Sequence, residues 1–126
     1  MIDHSLIVSG DLTQRGGYQK ANQLFERTEE LTAIIAGNDL MAFGAMSAAQ
    51  ERGLIVGKDI SITGFDDIPM AEHSHPSLTT INQPIYSIGR KLCEMLVQRI
   101  AGENINHPQV ILSPTLIVRG SSGPKL

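Results

Sequence analysis

The stretch TAIIAGNDLMAFGAM, residues 32–46, decides the fold. It opens on an apolar run too short for a helix, which stops at Asn38 and Asp39. An alanine- and methionine-rich helical pattern then takes over, with Leu40, Phe43, Met46 and Ala49 in step. Asn and Asp both suit a helix N-cap, because a short side-chain oxygen satisfies an orphan backbone N–H. Side by side, they pose a choice between capping and binding. The two residues are expected to divide the labour. Asn38 closes the strand and faces a ligand rim, while Asp39 begins the helix and suits its positive end.

Working outward, the same alternation repeats. Residues 5–9 (SLIVS) read as a short apolar strand broken by Gly10 and Asp11. Residues 16–28 carry Tyr18, Ala21, Leu24 and Phe25 at helical spacing, which predicts an amphipathic helix with these side chains in the core. The helix that starts at Asp39 runs to about Arg52, with Gly53 as its stop. DISITGF (59–65) is the next strand and ends at Asp66 and Asp67. Strand–helix–strand–helix–strand with short connections predicts βαβ units and a parallel sheet covered by helices.

Beyond Asp67 the rhythm changes to a longer, proline-marked segment holding the β-branched run LTTI. Ile85, Ile88, Leu92, Leu96 and Ile100 then form one stripe on a helix over 84–101, with Gly102 as its stop. Cys93 beside that stripe reads as a small buried hydrophobe. AGENINHPQ is a loop, VILSPTLIV (110–118) is extended with Pro114 interrupting it, and GSSGPKL reads as a frayed tail.

Composition narrows the function. The 126 residues are 41% hydrophobic and 18% charged with a net charge of −3, which is ordinary for a globular domain. Lys and Arg are scattered, so no basic stripe marks a nucleic-acid surface in this segment. No apolar run approaches the ~20 residues of a membrane span. A single cysteine forms no internal disulfide, and the expected location is the cytoplasm. No P-loop, nucleophile elbow or dinucleotide fingerprint is present, and no catalytic set assembles.

In an open parallel sheet, ligands sit outside the carboxyl ends of the strands. Three such ends carry polar residues: Gly10 and Asp11, Asn38 and Asp39, Asp66 and Asp67. An amide and a carboxylate on one rim match vicinal sugar hydroxyls, which both donate and accept. The competing readings are that these residues merely cap and turn, or that Asp66 and Asp67 hold Mg²⁺ in a small α/β enzyme. His73 and His75 flank a serine, and without a further ligand they read as solvated rather than metal-binding.

TAIIAGNDLMAFGAMSAAQERGLIVGKDISITGFDDI, then PSLTTINQP, then LIVRGSS, resembles the C-terminal part of the effector-binding core of LacI/GalR-family transcription regulators. The match is dense over residues 9–121. The resemblance implies the C-terminal subdomain of a type I periplasmic-binding-protein fold: an α/β, Rossmann-like parallel sheet with flanking helices. It implies a subdomain over about 5–82 and 110–120. A crossover segment and helix over about 83–104 would pack on a first subdomain these residues do not include. The resemblance further implies a non-enzymatic, cytoplasmic module that binds a small-molecule effector without a cofactor or metal and dimerises. Operator DNA would be bound only through a headpiece that also lies outside these residues. A periplasmic-type sugar-binding protein is the alternative of the same fold.

Carried over by position, Asn38 and Asp66 match polar effector contacts, and Gln83 matches a residue near the hinge that can reach the cleft. Leu12 stands where many members place an aromatic ring that stacks on the ligand, so a sugar-stacking face is missing. The dimer surface would involve the stretch 70–75, with Met70, Ala71, His73 and His75, and the outer side of the helix near Phe43. The uncovered stripe on the 84–101 helix would lead the segment to self-associate or to exchange that helix between copies.

Overall fold

The computed structural model describes residues 3–106 and 108–124. Two compact units divide the chain: one takes in the residues up to Asn82 and from Leu116 onward, the other Gln83–Thr115.

In the first unit, Thr13 accepts a hydrogen bond from the Gly16 N–H and caps α1 (Gln14–Arg27). Ala21 and Leu24 are buried on its inner face, and Tyr18 and Phe25 are partly buried against the same core. β1 (Ala33–Ile35) follows, then α2 (Asp39–Glu51), whose C-terminal turn is ended by Gly53 at φ +77°. β2 (Ser61–Thr63) pairs with β1 in parallel, Ile34 opposite Ile62. Parallel bridges from Thr63 to Thr79 and from Asp66 to Asn82 continue this arrangement into β3 (Thr80–Asn82). β3 in turn pairs with β4 (Thr115–Ile117). The core lies between the α1–α2 layer and one face of these strands, centred on Ala42, Phe43, Ala45, Met46, Ile60, Ile62 and Leu78. The sheet is not covered on both faces, for Ile34 is buried while Ile35 beside it is 88% exposed.

Two expectations for this unit fail. Residues 5–9 are not a strand: His4–Leu6 form a 3₁₀ turn, because the Asp3 carboxylate accepts from both the N–H and the hydroxyl of Ser5. Such local bonds compete with a sheet ladder, and no ladder neighbour is offered to residues 7–10 among the described residues. The GSSGPKL tail is not frayed either. Ser121 is fully buried; its hydroxyl donates to Ile62 O at 2.6 Å and accepts from Thr79 N–H at 2.8 Å. Its backbone N–H and C=O bond Ser77 and Ile62, so the tail stitches β2 to the residues before β3. Lys125 and Leu126 lie outside the described residues.

The second unit is built on α4 (Ile85–Ile100), which Gly102 ends at φ +73°. No residue of α4 is buried. Ile88, Leu92 and Met95 line a cavity of about 390 Å³ with Pro108, Val110 and Leu112. Cys93 is exposed, which corrects the buried reading: the stripe beside it has too little cover to enclose it. Of the extended segment 110–118, only Thr115–Ile117 is a strand. Residues 110–115 group with α4 rather than with the first unit.

Candidate functional site

Three chain corners are knit together in the first unit, the second and third of them following the carboxyl ends of β1 and β2. At the first, the Asp11 carboxylate accepts from the N–H and hydroxyl of Thr13, at 3.1 and 2.8 Å, and these bonds hold its carboxyl below the usual carboxylate range. Leu12 is thereby turned to φ +63° and left 59% exposed. At the second corner, Asn38 Oδ1 accepts from Met41 N–H at 2.9 Å while Nδ2 donates to Leu12 O at 3.0 Å. At the third, Asp39 N–H donates to Phe65 O at 3.0 Å, and Asp66 N–H donates to Ile81 O at 2.9 Å.

Backbone strain concentrates here. Besides Leu12, Asp66 lies at φ +115° and Asp67 at φ +56°, conformations that side chains rarely adopt. Each costs on the order of 1–3 kcal/mol and persists only where its surroundings hold it. What holds the third corner is an ion pair. Arg119 Nη1 lies 2.8 Å from Asp67 Oδ1 and also donates to Leu78 O, while Asn82 Nδ2 donates to Asp67 Oδ2 at 2.8 Å. Burial pushes the Asp67 carboxyl up, but the bonds from Arg119 and Asn82, with the Arg119 charge, more than offset this and keep it low.

The proposed division between Asn38 and Asp39 is therefore corrected. Asn38 both caps α2 with its oxygen and ties the rim with its nitrogen, since a carboxamide has an acceptor end and a donor end. Asp39 does more than open the helix. It is fully buried, with Oδ1 accepting from the Thr80 hydroxyl at 2.5 Å and Oδ2 from Ile68 N–H at 2.8 Å. Burial pushes its carboxyl pKa up, against those two bonds, with the charges of Asp66 and Asp67 adding to the rise.

The structure brings Leu12, Asn38 and Asp66 to one rim of the first unit, Asn38 and Asp66 both half-buried. Gln83 is half-buried at the start of the second unit. Of the residues expected on a dimer surface, Met70, His73 and His75 are exposed, Met70 and His73 on the short α3 (Met70–His73). Phe43 and Ala71 are buried in the unit's own core, so their side chains are not offered to a partner. The Mg²⁺ reading loses its geometry, because both Asp67 oxygens already hold Arg119 and Asn82. Among the described residues no group of three His, Cys, Asp or Glu side chains is placed to hold a metal ion. Nor is any helix among them long and apolar enough to cross a membrane.

Sequence reasoning missed Arg119 and the buried role of Asp39. The one available signal for Arg119 was a lone arginine in an otherwise apolar extended run.

Comparison with known proteins identifies this arrangement of strands, helices and rim. The chain belongs to the periplasmic binding protein-like domain family, whose model matches residues 3–122. Its relatives are LacI-family transcriptional regulators, as the motifs had implied. It is 38% identical over 122 residues to the HTH-type transcriptional repressor CytR of Escherichia coli, covering 97% of this chain and 36% of that protein. Among solved structures, a transcriptional regulator CelR–cellobiose complex superposes with a TM-score of 0.92 at 34% identity, over 97% of this chain and 37% of that one. A regulatory protein of the LacI family from Chloroflexus aggregans gives a TM-score of 0.87 at 41% identity, over 98% and 44%. The chain thus spans about a third of the length of the curated relatives it matches.

Proposed function

We propose that the rim formed by Leu12, Asn38 and Asp66 is the C-terminal wall of an effector cleft, and that the effector is a sugar or a related polyhydroxylated small molecule. The observation that carries this reading is the placement of an amide and a carboxylate on strand-end corners, Asp66 on backbone at φ +115° and Asn38 bonded to the strained Leu12. Such corners are costly to form, and an arrangement of this kind is where ligands meet open α/β sheets. A solved relative is a complex with cellobiose, and others carry ribose or lactose. Asn38 supplies donor and acceptor, and Asp66 accepts charge-assisted bonds. Leu12 offers apolar contact in place of an aromatic face, which favours an effector that does not depend on ring stacking. The segment acts, in this reading, in a cytoplasmic repressor that dimerises through the exposed stretch with Met70, His73 and His75. Operator DNA is met by a headpiece elsewhere in such a protein.

The test is effector titration of the full-length regulator carrying this segment. Asp66→Ala should weaken effector binding by about 1.5–3 kcal/mol, a tenfold or greater loss, with operator binding retained. An unchanged effector response in that variant would remove Asp66 from the site.

A further inference from the structure

We propose, resting on the effector reading, that Asp39 is a positioning residue of the cleft. Its side chain is too deeply buried to meet an effector, and it sets where the corner at residues 65–68 holds Asp66. Asp39 grips that corner on both sides of Asp66. Its backbone N–H donates to Phe65 O at 3.0 Å, and its Oδ2 accepts from Ile68 N–H at 2.8 Å. Its Oδ1 accepts from the Thr80 hydroxyl at 2.5 Å, and Ile81, the next residue of β3, accepts the Asp66 N–H. One carboxylate thus ties the start of α2 both to the corner and to the strand that steadies it. Gly64 leaves the room for this contact, since a Cβ there would lie 2.3 Å from Asp39 Oδ1.

Neither capping nor packing accounts for such a side chain. The Asn38 oxygen already caps α2, and an acid in a helix's first turn acts on the dipole equally well from an exposed position. Packing alone would be met by an apolar residue, because a carboxylate gives up its hydration on burial and recovers it only through well-made bonds. Both bonds of the Asp39 carboxylate leave its own helix, for partners 29 and 41 residues away. Within the corner they hold, Asp66 and Asp67 keep positive φ, a backbone that relaxes unless its surroundings fix it. The Asn38 side chain, by contrast, is held by Met41 N–H and Leu12 O without the Asp39 carboxylate. Losing that carboxylate would therefore move one polar contact of the rim and leave the other. A misplacement of about 1 Å is enough to forfeit a directional bond.

Titration of the full-length regulator carrying this segment, with ribose, cellobiose and lactose as probes, tests the assignment. Asp39→Ala should weaken the tightest-binding of these about tenfold or more, at a temperature where the variant is folded. Added to Asp66→Ala, the same change should cost less than about threefold, because it acts through Asp66. Phe43→Ala destabilises through the core and should leave affinity within about threefold. Asp39→Asn, whose one oxygen can still accept from Ile68 N–H, should recover most of the loss. If Asp39→Ala does not fold, Asp39→Ser, polar and one bond shorter, carries the same expectations. Equal losses in the two backgrounds, or an equal loss in Phe43→Ala, would overturn the proposal. A loss in Asp66→Ala with none in Asp39→Ala would overturn it and leave the effector reading standing. No loss in Asp66→Ala would remove that reading and the proposal with it. If none of the three sugars binds the unaltered regulator, a crystal structure of the Asp39 variant decides. Asp66 should be displaced by about 1 Å or more relative to Asn38, and an unmoved Asp66 would overturn the proposal.

Discussion

Helices α2 and α4 occupy opposite ends of one contrast. In α2, eight of thirteen residues are buried, Phe43 and Met46 among them, although the helix has small residues on nearly every side. In α4, sixteen residues carry a regular apolar stripe from Ile85 to Ile100, and none is buried. The more regular pattern has the less cover. A stripe at 3.6 spacing states which face of a helix requires a partner, while burial depends on whether the partner is present. For α2 the partners are α1 and the β1–β2 sheet, all in the same unit.

The contrast would break first at Phe43. Phe43→Ala should cost about 3–5 kcal/mol in urea unfolding, against roughly 0.5 kcal/mol or less for Leu96→Ala, whose side chain is 60% exposed. A comparable loss at Leu96 would show that α4 is covered in solution. Next in size is Asp39→Ala. It removes the acceptor of the buried Thr80 hydroxyl and of Ile68 N–H, and a loss of about 3 kcal/mol is expected by the same measurement.

The two helices should also answer one substitution with opposite signs. A Cβ at Gly44 of α2 would lie 2.0 Å from Gln14 O and 2.4 Å from Tyr18 N, where α1 crosses closely. At Gly89 of α4 it would meet nothing within 4 Å. Gly44→Ala should therefore destabilise by about 1–3 kcal/mol, and Gly89→Ala should stabilise by about 0.5–1 kcal/mol as helix propensity asserts itself. Thermal unfolding of both variants would decide it.

The smallest expected effect is one of pH. Asp67 has a folded-state pKa below its ordinary value of 3.8, so its contribution to stability is present above that value and is lost as pH falls through the folded value. Asp39 has the opposite sign. Its pKa is raised, so its contribution is complete below 3.8 and lost as pH rises through the folded value. Arg119→Met frees Asp67 from its ion pair and leaves burial to dominate. The drop in urea midpoint between pH 5 and pH 3 should be smaller in that variant than in the unaltered chain. An identical drop would show that the ion pair does not act in the folded protein.

Legibility in the sequence follows the same division. The bounds of α1, α2 and α4 were readable to within two residues, because caps and glycine stops act through bonds that span three or four positions. The corners at Asn38 and Asp66 were readable as strand ends, and the LacI-type motifs marked them as candidates. The Asp67–Arg119 pair was not, since its members stand 52 residues apart and each alone looks like a surface charge. The tail serine was misread for the same reason: a hydroxyl that bonds Ile62 and Thr79 has no local signature.

By itself, then, the sequence determined the order of elements, the helix ends and the family, all of which rest on local backbone preference and on motif spacing. Tertiary structure decided the rest. It turned Asp39 into the core, gave Asn38 two tasks at once, and left Ile35 and the α4 stripe facing outward. It also denied residues 5–9 the strand their pattern suggested. Each of these outcomes depends on which distant group is available to accept a bond or to exclude water. A side chain's neighbours in sequence do not carry that information.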